Sequence, residues 1–126
     1  MKPKGYKRTR CEKRHLSKCA DGVVRTFTTL ESNLADILQA DKDVKEFRCN
    51  VLLDNLDIGQ FTTDFVVRLM NGDLRVYECA YRKQLLKPRT AKLLDVSRDY
   101  WHRRGVDDWV LVVEKKEVED GKEPTD

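Results

Sequence analysis

Three acids in this chain have the residue types and spacing to hold a hard divalent cation. Glu31 lies in an amphipathic stretch, Asp64 in Phe61-Thr62-Thr63-Asp64-Phe65, and Glu78 in Glu78-Cys79-Ala80, beyond the turn dipeptide Asn71-Gly72. Carboxylate oxygens gathered at one sheet edge bind magnesium-like ions, which polarise a phosphodiester and activate water. A lysine two residues after Glu78 would return to the same strand face and complete such a set. The residue there is Ala80.

These acids meet only if the intervening elements bring them together. Thr28 and Thr29 precede Leu30, Leu34, Ile37 and Leu38, a helical spacing with a hydroxyl cap, so a helix is predicted from about Thr29 to Ala40 with Glu31 in its first turn. Val44 to Leu53 reads as a strand broken by Asp54, Asn55 and Asp57, and Gly59 marks the turn into a strand from Phe61 to Met70. Asn71-Gly72 is a hairpin signal joining that strand to one from Asp73 to Arg82, which brings Asp64 and Glu78 to corresponding positions. Pro88 opens a second helix with Ala91, Leu94, Ser97 and Trp101 on one face, ended by Gly105. Trp109 to Val113 is a continuous apolar run, as in a buried strand. The order helix, three strands, helix, strand predicts an α/β fold, a mixed sheet flanked by helices.

The 126 residues suit one domain with one core, and 37% of them are charged. No stretch is long and apolar enough to cross a bilayer and no hydrophobic signal region follows the basic start, so an intracellular, cytoplasmic protein without membrane contact is expected. Cys11, Cys19, Cys49 and Cys79 lack the density of a disulfide scaffold and are read as reduced thiols. Cys11, His15 and Cys19 recur every four residues and would line a helix as zinc ligands, but no fourth ligand is evident, and free thiols with a surface histidine are the simpler expectation.

The net charge of +3 conceals an asymmetry. Lysines and arginines crowd residues 1–27, a basic arm, whereas residues 115–126 form an acidic tail expected to fray. The domain between them is 28–114. A basic arm is suited to polyanions, since each phosphate neutralised releases counterions. Lys7, Arg8, Arg10, Lys13 and Arg14 in the arm, then Arg82, Lys83, Lys87 and Arg89, then Arg103 and Arg104 are the candidate DNA contacts. Contacts of this kind give affinity and position without sequence preference.

Thr28-Thr29-Leu30-Glu31, Asp41-Lys42-Asp43-Val44, Thr63-Asp64-Phe65, Glu78-Cys79-Ala80 and Tyr100-Trp101 before Gly105 together resemble the N-terminal nuclease domain of TnsA-type endonucleases. That family belongs to the restriction-endonuclease-like PD-(D/E)xK superfamily. The resemblance implies a restriction-endonuclease-like core and a metal-dependent DNA endonuclease acting in transposition and DNA recombination. It casts Glu31 as the helix acid, Asp64 as the central metal ligand and Glu78 as the second acid of the strand motif. These would hold Mg2+, or Mn2+ in its place, with the backbone carbonyl of Cys79 close to the ion. Thr63 stands where a proline often precedes the aspartate, a position that shapes the chain and performs no chemistry. The implied partners are DNA and a transposase or phage protein, with a homodimer if both strands are cut. TnsA proteins carry a further C-terminal domain, so a stand-alone enzyme of a phage or mobile element is the main variant.

Ala80 departs from the family, whose lysine places positive charge beside the attacking water and the phosphate, help worth roughly two to three decades in rate. Three explanations stay open: a substitution that traps an inactive protein, natural loss of activity, or migration of the cation to Arg82, Lys83 or Lys87. Arg82 has the strand parity to share the face of Glu78. The expectation is impaired cleavage with metal and DNA binding retained; the alternative is a non-catalytic DNA-binding or assembly module. Singly, Glu31 could simply complement a helix dipole, Asp64 and Glu78 could be solvated strand residues, and Trp101 could be a core anchor.

Overall fold

A computed structural model describes residues 2–3 (backbone only), 11–53, 59 and 61–115. Its elements are β1 (Lys2–Pro3), β2 (Glu12–His15), β3 (Val23–Thr26), α1 (Thr29–Ala40), β4 (Val44–Leu53), β5 (Phe61–Leu69), β6 (Leu74–Cys79), α2 (Pro88–Arg103) and β7 (Trp109–Val112), with a 3-10 turn at Arg82–Leu86. A five-stranded mixed sheet is flanked by the two helices. β4, β5 and β6 form an antiparallel meander, β1 pairs antiparallel with β5, and β7 runs parallel to β6 after the α2 crossover. No helix among the described residues is long and apolar enough to cross a membrane.

The termini of α1 follow from local chemistry. Thr28 is the N-cap, its hydroxyl accepting from the Glu31 N–H at 3.1 Å. Leu34, Ala35 and Leu38 turn inward and meet Val44, Phe47, Phe65, Val67 and Cys79 in the first core cluster. Phe47 and Phe65 pack edge to face at 6.0 Å. On the other face, Trp101 and Val106 meet Leu53 and Val76 in a second cluster. α2 starts with Pro88, whose missing N–H would have been unsatisfied there, and is closed by Gly105 at φ 84°, a left-handed value that glycine adopts without strain. The inward side of α2 is Leu93, Leu94, Ser97 and Trp101; Ala91, expected on that face, is exposed.

Two further expectations are corrected. The strand after the hairpin stops at Cys79 rather than Arg82, because the chain turns into the 3-10 segment, so strand parity does not apply to Arg82. β7 is a half-buried edge strand rather than a fully buried one. Residues 11–27, in the basic stretch, form the β2–β3 hairpin, which contributes Cys19 and Val24 to the first cluster. Cys11, His15 and Cys19 therefore lie along a strand and its turn, not on a helix face. All four cysteines are free thiols. Asp54, Asn55, Asp57 and the acidic stretch from residue 116 onward lie outside the described residues.

Candidate acid site at the open end of a hairpin

The β5–β6 ladder is regular near its turn, pairing Arg68 with Leu74 through to Phe65 with Tyr77, and there it ends. Beyond that point side chains replace the backbone bonds. The Cys79 N–H donates to Asp64 Oδ2 at 2.7 Å, and the Asp64 N–H donates to Glu78 Oε1 at 3.1 Å. Each carboxylate thus takes the place of a main-chain carbonyl where the strands part. β4 covers one edge of β5 along its whole length, so β1, which pairs Lys2 with Thr62 and Pro3 with Phe61, occupies the edge that β6 leaves.

The opening coincides with a change of face. In β4, Phe47 and Cys49 join the α1-side cluster while Val51 and Leu53 join the α2-side cluster. Strict alternation would keep these odd-numbered residues on one side. The switch falls at Asn50, at φ 54°, the one non-glycine residue with positive φ among the described residues. The pairing is unbroken in number across it, Cys49 with Phe65 and Val51 with Thr63, which sets Asn50 opposite Asp64. β5 makes the same change: Phe65 and Val67 face α1, whereas Thr63 Oγ1 accepts from Trp101 Nε1 of α2 at 2.9 Å.

Asp64 is 2% exposed and Glu78 0%. Glu78 Oε2 accepts from Ser97 Oγ at 2.5 Å, and Ser97 Oγ in turn accepts from Trp109 Nε1 at 3.1 Å. An indole N–H can only donate, so Ser97 is the acceptor in that pair and its own proton points at Glu78. Burial, and after it the charge of Asp64, push the Glu78 carboxyl up to about 7.

Glu31 is 4% exposed at the start of α1, where its Oε1 accepts from the Phe27 N–H at 3.0 Å. It therefore acts as a reverse cap on the helix entrance, close to a capping box. Burial first, then the charges of Asp64 and Glu31 and more weakly Glu78, raise the Cys79 thiol pKa. All three acids therefore lie within electrostatic reach of Cys79. Tyr81 borders the same end of the sheet, with its hydroxyl 3.4 Å from the Leu30 nitrogen.

The donor types fit a hard cation, since carboxylate oxygens and the Cys79 carbonyl are the ligands magnesium prefers, and a cation would offset two buried like charges. Their present arrangement is one of hydrogen-bond acceptors. Among the described residues no group of three His, Cys, Asp or Glu side chains is gathered as a metal site.

Several cations assigned to DNA are engaged within the protein. Arg14 donates to Asp36 Oδ1 at 2.6 Å and to Ser32 O at 3.0 Å, so it ties β2 to α1. Arg82 is held by Glu114, its N–H donating to Oε1 at 2.8 Å and its Nε to the backbone oxygen at 2.9 Å. It does not share a strand face with Glu78, since the strand ends at Cys79. Arg103 pairs with Asp99 at 3.0 Å, Arg104 stacks 3.5 Å from the Tyr100 ring centre, and His102 pairs with Asp107. Lys13, Lys83, Lys87 and Arg89 are exposed, whereas Lys7, Arg8 and Arg10 lie outside the described residues. Ala80 is buried, its N–H donating to Val112 O at 3.0 Å.

Sequence reasoning missed Asn50, Ser97 as the partner of Glu78, and Trp109 as the partner of Ser97. Asn50 carried a signal, since asparagine is depleted in strand interiors and tolerates left-handed backbone. Comparison of the sequence with protein-family models and with curated proteins gives no match.

Proposed function

We propose that this chain is a DNA-binding protein of restriction-endonuclease-like, TnsA-like fold, with a metal-dependent phosphodiesterase site that Ala80 leaves impaired. The observation that carries the reading is the pair Asp64 and Glu78, both fully buried and bonded to each other's strand where the ladder opens. Burial and the charge of Asp64 raise the Glu78 carboxyl pKa, and acids perturbed in this way are candidates for a functional site. Asp64, Glu78, Glu31 and the Cys79 carbonyl would hold Mg2+ or Mn2+. Bound there, the ion would polarise the phosphodiester and favour formation of the attacking hydroxide.

The chain's own residues would prepare that site. Ser97 and Trp109 fix the orientation of Glu78 from behind, Trp101 anchors Thr63 beside Asp64, and Glu31 secures the entrance of α1. A carboxyl titrating near 7 shares its proton with solvent around neutrality, so Glu78 is ready to ionise when a cation arrives. Targeting would come from a transposase-type or phage partner, and cutting both strands would take a homodimer.

A second reading, a non-catalytic DNA-binding or assembly module, is favoured by one observation: each Glu78 oxygen already accepts a bond from a protein donor. Cleavage of supercoiled, linear and branched DNA in Mg2+ or Mn2+ by this chain, its Ala80→Lys variant and the double variant with Asp64→Asn separates the two. The nuclease reading expects cleavage to rise roughly a hundredfold or more with the lysine and to vanish with the asparagine. Binding of DNA without cleavage by any of the three favours the module.

A further inference from the structure

We propose that the 3-10 turn Arg82–Leu86 and the start of α2 form a nucleic-acid docking ridge, with Leu86 as an apolar wedge against unpaired or unstacked bases and Lys83, Lys87 and Arg89 on the flanking phosphates. The inference rests on the DNA-binding reading above and specifies the kind of DNA, duplex interrupted by a branch, mismatch or frayed end.

Leu86 is 84% exposed, the most exposed large apolar side chain among the described residues. A lone exposed leucine is ordinary on a protein surface. This one is set apart by its mounting. In a 3-10 helix side chains three apart eclipse, which sorts the turn into three rows. Arg82 and Leu85 form one row, with Arg82 fastened to Glu114 and Leu85 half-buried, and half-buried Gln84 in another accepts from the Tyr81 N–H. Lys83 and Leu86 form the outer row, both exposed, and exposed Lys87, Arg89 and Lys92 continue the basic surface into α2.

The turn is held in this form before any partner arrives. The Tyr81 N–H donates to Gln84 Oε1 and the Gln84 N–H to Tyr81 O, both at 2.9 Å, and the Lys87 N–H donates to Gln84 O at 3.0 Å. Presenting Leu86 therefore requires little further ordering. The ridge also begins beside the acids, since Arg82 is four residues past Glu78 and Tyr81 reaches the first turn of α1 next to Glu31. Cations without an intervening acid from Arg82 to Lys92 complement a polyanion. An apolar side chain among them adds what phosphate contacts lack, a group that can replace a base in its stack. One leucine offers too little apolar area to hold a lipid surface.

The test compares this chain with Leu86→Ser and with the double variant Lys83→Glu, Lys87→Glu, all confirmed as folded by circular dichroism. The probes are a perfect duplex, a duplex with a central mismatch and a three-way junction, each carrying 2-aminopurine at the point expected to unstack. The wild-type chain is expected to prefer the interrupted DNAs and to raise their 2-aminopurine fluorescence. Leu86→Ser should lose that rise and about tenfold in affinity for them, the lower end of what burying one leucine is worth, while keeping its affinity for perfect duplex. The double glutamate variant should weaken binding to all three. Unchanged fluorescence and affinity in Leu86→Ser beside a weakened glutamate variant would overturn the wedge and leave DNA binding standing. Failure of the wild-type chain to bind any of the DNAs, with or without binding to anionic vesicles, would overturn both.

Discussion

The two ends of the β5–β6 hairpin are built on opposite principles. At the turn, Asn71 and Gly72 do what turn residues do: the Gly72 φ of 95° closes the chain, the Asp73 N–H donates to Asn71 Oδ1 at 2.9 Å, and backbone pairs run to Phe65 and Tyr77. At the open end the backbone stops pairing, and Asp64 and Glu78 serve as acceptors for main-chain N–H groups. The turn end makes the hairpin by local chemistry alone. The open end depends on residues far away in the chain, Ser97, Trp101 and Trp109, to keep two buried acids in register. Regular pairing leaves side chains free to pack; interrupted pairing commits them to the backbone.

The difference should be largest in its response to pH. Glu78 titrates near 4.5 when unfolded and near 7 when folded, so the folded state holds the extra proton between those values. Its contribution to stability is therefore full below about pH 4.5 and lost as pH rises through 7, on the order of 3 kcal/mol in total. Urea unfolding from pH 5 to pH 8 should show this decline in the wild-type chain and a flatter profile in Glu78→Gln. A parallel decline in both would mean that the acid is not held as described.

Ser97→Ala should come next. It leaves Glu78 Oε2 and Trp109 Nε1 without their shared hydroxyl, and lowers stability by about 1–3 kcal/mol. It should also raise the Glu78 pKa further, because the donor that favours the ionised form is gone. Carbon-detected NMR titration of the carboxyl reads that shift. Smallest is Gly72→Ala, which strains a left-handed position and costs about 1 kcal/mol. The same titration should leave the Glu78 midpoint where it was, confining the damage to the turn.

What was legible in the sequence was local. Thr28 as a cap, Pro88 and Gly105 as the limits of α2, and Asn71-Gly72 as a hairpin turn are encoded by single residues with strong backbone preferences, and α1 and β4 occupy the predicted ranges. The hairpin in turn brought Asp64 and Glu78 together. Illegible was whatever depends on distant pairing. Arg82 was assigned to a strand because apolar alternation does not register the 3-10 turn that Gln84 closes. Arg14 reads in the sequence as a DNA contact of the basic arm because its partners, Ser32 and Asp36, lie on α1. Ser97 showed only as one more position on a helix face, and its bond to Glu78 exists only once β7 has placed Trp109 alongside.

The central claim is that the open end of the hairpin is a cation-binding acid pair, and calorimetric titration of Mn2+ into the wild-type chain and Asp64→Asn tests it most directly. Asparagine keeps a carbonyl oxygen for the Cys79 N–H while removing the charge and turning the other oxygen into an NH2 donor. The account predicts one Mn2+ bound by the wild-type chain and affinity reduced at least about tenfold in the variant, a loss of about 1.4 kcal/mol. Equal binding by both, or none by either, would contradict it.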